Sequence, residues 1–132
     1  MRALLITSIG LASFVLTTPS LSHHSFSAEF NVGRPVEFTG TITRVEWTNP
    51  HVWLFLVTDD GEGNLENWDV ELLGINTLMR RGLTRDSIKP GYRLVVRGFG
   101  ARDGTNTANA SFVGRADTGE EIWASASGGR TP

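Results

Sequence analysis

The chain opens on an apolar stretch with no period. Ala3 to Leu16, ALLITSIGLASFVL, carries no charge. It follows the positive Met1-Arg2 start and gives way to the small, polar run TTPSLS, with Pro19 as a breaker. That order is the pattern of a secretory signal peptide, and the apolar run is too short to span a bilayer comfortably. Ser20 and Ser22 put small residues three before and one before a cut after Ser22, the expected cleavage position. A cut one or two residues earlier competes, and an uncleaved anchor is the alternative.

Beyond this leader the apolar period is mostly two, the signature of strands. Phe38 to Trp47, FTGTITRVEW, is rich in β-branched residues, with Phe38 and Ile42 on one parity. The parity then shifts to Val45 and Trp47, which predicts a bulge near Arg44, and Gly40 permits a bend. Thr48 to Pro50 reads as a turn. His51 to Thr58, HVWLFLVT, is apolar on both parities, as expected of a strand covered on both faces or lining a barrel. Asp59 to Asn64 is a hairpin loop. Leu65 to Leu72 alternates, with Trp68, Val70 and Leu72 inward and Asn67, Asp69 and Glu71 outward.

At Gly74 to Gly82 the period becomes helical, with Ile75, Leu78 and Met79 on one face. Asn76 is the expected N-cap and Gly82 the left-handed stop, while Arg80 and Arg81 in the last turn complement the helix dipole. Thr84 to Gly91 predicts one more helical turn, ended by Pro90. Strands are expected again over Tyr92 to Gly100 and Asn106 to Arg115, with a hairpin or extended segment through Trp123. Three strands, a short helix, then two or more strands make a mainly β fold. We expect a small OB-like five-stranded barrel with one short helix between strands 3 and 4; a small β-sandwich is the alternative. The expected divisions are a signal peptide over 1–22, an N-terminal arm over 23–35, a single β-barrel domain over 36–124, and a small, polar, disordered tail over 125–132.

Composition narrows the setting. Removing residues 1–22 takes away only Arg2, leaving 11 basic against 14 acidic residues, a formal charge of −3. That balance does not point to a nucleic-acid partner, which needs a basic face. The 132-residue chain has no cysteine, so an exported form must rest on its core and sheet rather than on disulfides. No second apolar run is long enough for a membrane span once the signal is removed. A periplasmic or secreted bacterial protein is expected.

Enzymatic signals are scarce. There is no cysteine nucleophile, Gly-x-Ser-x-Gly elbow, phosphate-binding glycine loop or two-histidine zinc helix. Asp59, Asp60 and Glu62 have poor calcium-loop spacing and read as solvated turn residues. The three histidines carry more. A cut after Ser22 makes His23 the N-terminal residue, whose α-amino group and ring Nδ1 can chelate one metal ion. His24 or His51 can add a further imidazole, giving a nitrogen set suited to copper. Against this, His24 misses the third position of the common amino-terminal copper motif, and His51 can instead cap a turn carbonyl.

The segment WTNPHVW brackets Asn49 and His51 with Trp47 and Trp53, an aromatic wall with polar handles for a ligand. Packing is the first assignment for Trp53 and Trp68, and Trp47 stays open. Arg80 and Arg81, with Arg85, form a candidate anion patch that dipole complement and solvation explain nearly as well.

HHSFSAEF after a signal peptide, then GTITRVEWTNPHVWLFL, NWDVELLGINTLMRRGLTRDSIKPG and GFGARDGTNTANA, together resemble an uncharacterised family of small exported bacterial proteins, the domain of unknown function 6152 family. The likeness covers nearly the whole chain after the leader. Its hallmarks fall on His23, His24 and the segment Trp47 to His51. The resemblance implies an exported domain and no particular activity. LLGINTL departs from the Ser-Pro-Asn helix start that relatives tend to have.

The first functional expectation is therefore a periplasmic binding module, taking copper or a small ligand through His23, His24 and His51. Trp47, Asn49, Trp53, Arg80 and Arg81 are candidate ligand contacts. The second is a structural module whose barrel face binds another envelope protein, with no metal role. An enzyme ranks last. The deciding question is spatial: whether His51 lies near the start of the mature chain.

Overall fold

The computed structural model describes residues 22–125, with side chains from Phe26 onward. The signal peptide expected over 1–22 and the tail expected over 125–132 therefore fall almost wholly outside the described residues. Within them run α1 (Ser22–Glu29), β1 (Phe30–Trp47), β2 (Val52–Asp59), β3 (Leu65–Glu71), α2 (Ile75–Arg80), β4 (Arg93–Ala101), β5 (Thr107–Arg115) and β6 (Glu121–Ala124). The fold is mainly β. The segment expected as an arm, 23–35, consists of α1 after its first residue and the opening of β1.

The strands pair in the order β3-β2-β1-β4-β5-β6, and a parallel β3–β5 pairing closes the first five into a ring. This is the OB-like order, with α2 between the third and fourth strands. Closure through β3–β5 distinguishes it from an open two-sheet sandwich. β6 stands outside the ring, paired only with β5.

The length of β1, 18 residues, lets it serve two partners. It pairs with β4 from Phe30 to Thr41 and with β2 from Thr41 to Trp47. Ile42 faces Leu56 and Arg44 faces Phe55, so Thr43 is the bulged residue, next to the position the parity shift predicts. Its hydroxyl donates to the Phe55 carbonyl at 3.1 Å. Inside the ring, Leu54, Val70, Leu94 and Val96 are fully buried, and Leu78, Leu83 and Ile88 from the α2 region pack onto the same core.

Two helix expectations are corrected. Gly74 stands at the N-cap of α2 without a side-chain cap bond, and Asn76 is an exposed residue within the helix rather than its N-cap. The reason is close packing: a β-carbon at Gly74 would lie 2.7 Å from the Pro50 carbonyl oxygen, which leaves no room for a Ser or Asn there. Gly82 does take the left-handed conformation expected of the stop, with φ of 87°. Thr84 to Ile88 forms a turn, not a helix. The Ser87 amide donates to the Thr84 carbonyl at 3.1 Å, and the Thr84 amide donates to the Ser87 hydroxyl at 3.0 Å. Side chains thus take over backbone hydrogen bonds that would otherwise extend a helix.

Candidate functional site

The β1–β2 turn presents His51. The Asn49–Pro50 bond is cis, and the Thr48 hydroxyl donates to the His51 carbonyl at 3.0 Å, closing the turn just before β2. The backbone ladder then continues from Val52 to Leu73 and Leu72. His51 does not cap a turn carbonyl with its ring. Its Nδ1 pairs with Glu71 Oε1 at the end of β3.

Register lines up the outer face behind this pair. Trp53 on β2 faces Glu71 on β3, which faces Asn109 on β5, which faces Phe99 on β4. Alternation sends Val52, Leu54 and Val70 into the ring and leaves this row outside it. Trp53 is therefore half-buried on the outer face, not filling the interior as expected. Trp68 does pack inward, stacked on Phe38 with ring centroids 4.3 Å apart.

α1 covers that row. Phe26 lies 5.6 Å from Phe30 and 6.2 Å, edge-on, from Phe99, centroid to centroid. The β4–β5 turn clasps the helix from the other side: Arg102 Nε donates to the Ser27 carbonyl at 2.7 Å and the Arg102 amide to the Glu29 carbonyl at 2.9 Å. Arg34 Nη1 in turn donates to the Ala101 carbonyl at 2.8 Å, fixing the start of that turn.

Between α1, the Thr48–His51 turn and the outer row lies a cavity of about 560 Å³, walled by Phe26, Phe30, Asn49, His51, Trp53 and Glu71, among others. A second, of about 340 Å³, continues on the far side of Glu29, Phe30 and Trp53 toward Arg102 and Thr105. Both open near the loops that OB-like folds use for ligands.

By alternation Glu71 points outward, away from the ring interior. It is only 3% exposed, because α1 and the β1–β2 turn roof the end of β3. Burial pushes its pKa above the ordinary glutamate value; the charge of His51 and the Asn109 side chain act the other way, and the charge of Glu29 adds to the rise. Its Oε2 is buried with no hydrogen-bond partner. The sequence did carry a signal: Glu71 interrupts the apolar run Val70, Leu72, Leu73.

The other candidates divide. Asn49, His51 and Trp53 share the cavity. His23 and His24 lie on α1, the helix that roofs it, and their side chains fall outside the described ones. Trp47 is half-buried elsewhere, under the Arg85 guanidinium at 5.0 Å. Arg80 bonds the Thr77 hydroxyl of its own helix, and Arg81 lines a separate polar cavity with Asp86 and Arg115. The arginines thus do not converge on His51. Asp60 fastens its own loop: it accepts from the Glu62 amide and from Asn64, which hold its pKa low. Among the described residues no group of three His, Cys, Asp or Glu gathers closely enough to hold a metal ion, and no helix is long and apolar enough to cross a membrane.

A profile of a family of unknown function (DUF6152) matches residues 11–110. The chain belongs to that family. No curated protein matches it.

Proposed function

We propose that this family member is an exported binding module, periplasmic or secreted, whose His51 cavity takes a metal ion, copper first, or a small ligand. The observation that carries the reading is the buried carboxylate behind His51. A carboxylate on Nδ1 holds the ring proton there and leaves Nε2 as the ligating nitrogen, the usual arrangement behind a metal-bound histidine. His51 alone is too few ligands. The remaining nitrogens come from the start of the mature chain: a cut after Ser22 gives His23 a free amine beside its imidazole, with His24 next to it, on the helix that roofs the cavity. Asn49 and Trp53 line the same space, while Trp47, Arg80 and Arg81 take no part.

Mass spectrometry of the exported protein and calorimetric titration with Cu(II) test the reading. The expected result is a chain beginning at His23 that binds one Cu(II). Binding falls at least tenfold in His51→Ala and is lost when one residue is added before His23. Micromolar or weaker binding that neither change affects overturns it. Capture of a stable envelope partner that survives both changes favours the interaction module instead.

A further inference from the structure

The His51 cavity is lined by more acidic side chains than basic ones. Glu29 and Glu71 both line it, and Glu29 acts electrostatically on Glu71. No lysine or arginine among the described residues lines it; Arg102 belongs to the neighbouring cavity and spends its Nε on Ser27. His51 takes Glu71 Oε1 and the Asn109 side chain also acts on the carboxyl group, yet Oε2 is buried with no donor in hydrogen-bonding geometry. A buried acceptor in that state is costly, and native proteins keep few of them without a purpose. Around it stand Phe26, Phe30 and Trp53, whose ring faces attract cations. A volume of about 560 Å³ suits a small molecule.

We propose that this cavity binds an organic ammonium group, one N–H donating to Glu71 Oε2 and the attached carbon chain lying against Phe26, Phe30 and Trp53. The inference rests on the reading of this cavity as the ligand site, but not on copper. A primary ammonium fits better than a quaternary one, because Oε2 needs a donor and a quaternary nitrogen has none. The ammonium can belong to a free small amine or to a lysine side chain of a peptide.

Calorimetry on the metal-stripped mature chain tests this with 1-aminobutane, 1,4-diaminobutane and N-acetyl-lysine amide, against 1-butanol and tetramethylammonium. The expected result is that 1-aminobutane binds at least tenfold more tightly than 1-butanol and more tightly than tetramethylammonium. Preference for the diamine assigns the free amine as the source, and preference for the lysine amide assigns a peptide; both support the site. Glu71→Gln should weaken amine binding at least tenfold without lowering the melting temperature. Glu29→Gln, an exposed position, should weaken it severalfold and serves if Glu71→Gln does not fold. Equal binding of amine and alcohol, or amine binding untouched by both variants, overturns the proposal. Copper titration of the same preparation separates the two ideas. Copper binding without amine binding removes only the ammonium assignment, whereas loss of both removes the cavity as a ligand site.

Discussion

The interior of the ring and the cavity outside it obey opposite rules. Inside, Leu54, Val70, Leu94 and Val96 are fully buried among other apolar side chains, with no titratable group among the buried core residues. Outside, under α1, a carboxylate is buried almost as deeply, with one oxygen paired to a histidine and the other to nothing. The first arrangement is what stability favours. The second costs stability and persists where a protein keeps polar atoms ready for something else. The same contrast holds along one strand: Asp69 and Glu71 share a face of β3, yet Asp69 is in solvent and Glu71 is roofed.

The largest effect should come from the interior. Leu54→Ala or Leu94→Ala removes a fully buried side chain and should cost about 2–5 kcal/mol in denaturant unfolding. A loss below about 1 kcal/mol would mean that the ring interior is far looser than its burial implies. Gly74→Ala comes next. Its new methyl would press on the Pro50 carbonyl, at a cost of about 1–3 kcal/mol. Because that carbonyl belongs to the turn presenting His51, ligand binding should weaken with it; stability lost with binding intact would separate the turn from the site.

Arg102→Ala should cost about 1 kcal/mol or less, and its clearer mark is local. Amides of α1 should exchange faster with solvent while those of β2 and β4 do not. Uniform exchange across the chain would show that the clasp on Ser27 does not hold the helix.

Glu71→Gln should break the contrast with the smallest stability change and a definite dependence on pH. Glu71 titrates above its ordinary value of 4.5 in the folded chain, so through that window the folded state holds more protons than the unfolded one. Its contribution to stability therefore falls as pH rises. The variant lacks this slope, so its stability relative to the parent should rise with pH through the window above 4.5. Parallel pH profiles for the two proteins would show that Glu71 is not held in a desolvated place.

Much of this was legible in the chain. Parity gave the strands of the ring to within a few residues, except that β1 begins at Phe30, well before the expected Phe38 and inside the segment read as an arm. The shift from Ile42 to Val45 located the bulge, and the helical spacing of Ile75, Leu78 and Met79 located α2, because periodicity records which face of an element is covered. The candidate site was legible in part, since His51 and Asn49 stand in a compact turn motif. The cap at Asn76 and the helical turn at Thr84 failed for a common reason: short polar side chains bond their backbone in several ways, and neighbours in space choose among them.

What the sequence determined by itself was the order of elements, the apolar interior and the residues able to ligate, because these depend on local spacing and side-chain type. Only the tertiary structure decided that Trp53 faces outward, that Asn109 stands beside Glu71, and that α1 roofs them both. Those facts depend on a parallel pairing between strands distant in sequence and on a helix clasped by Arg102 across the ring. Alternation can say that Glu71 leaves the interior. It cannot say what waits outside, and there the chain buries a carboxyl group beside His51.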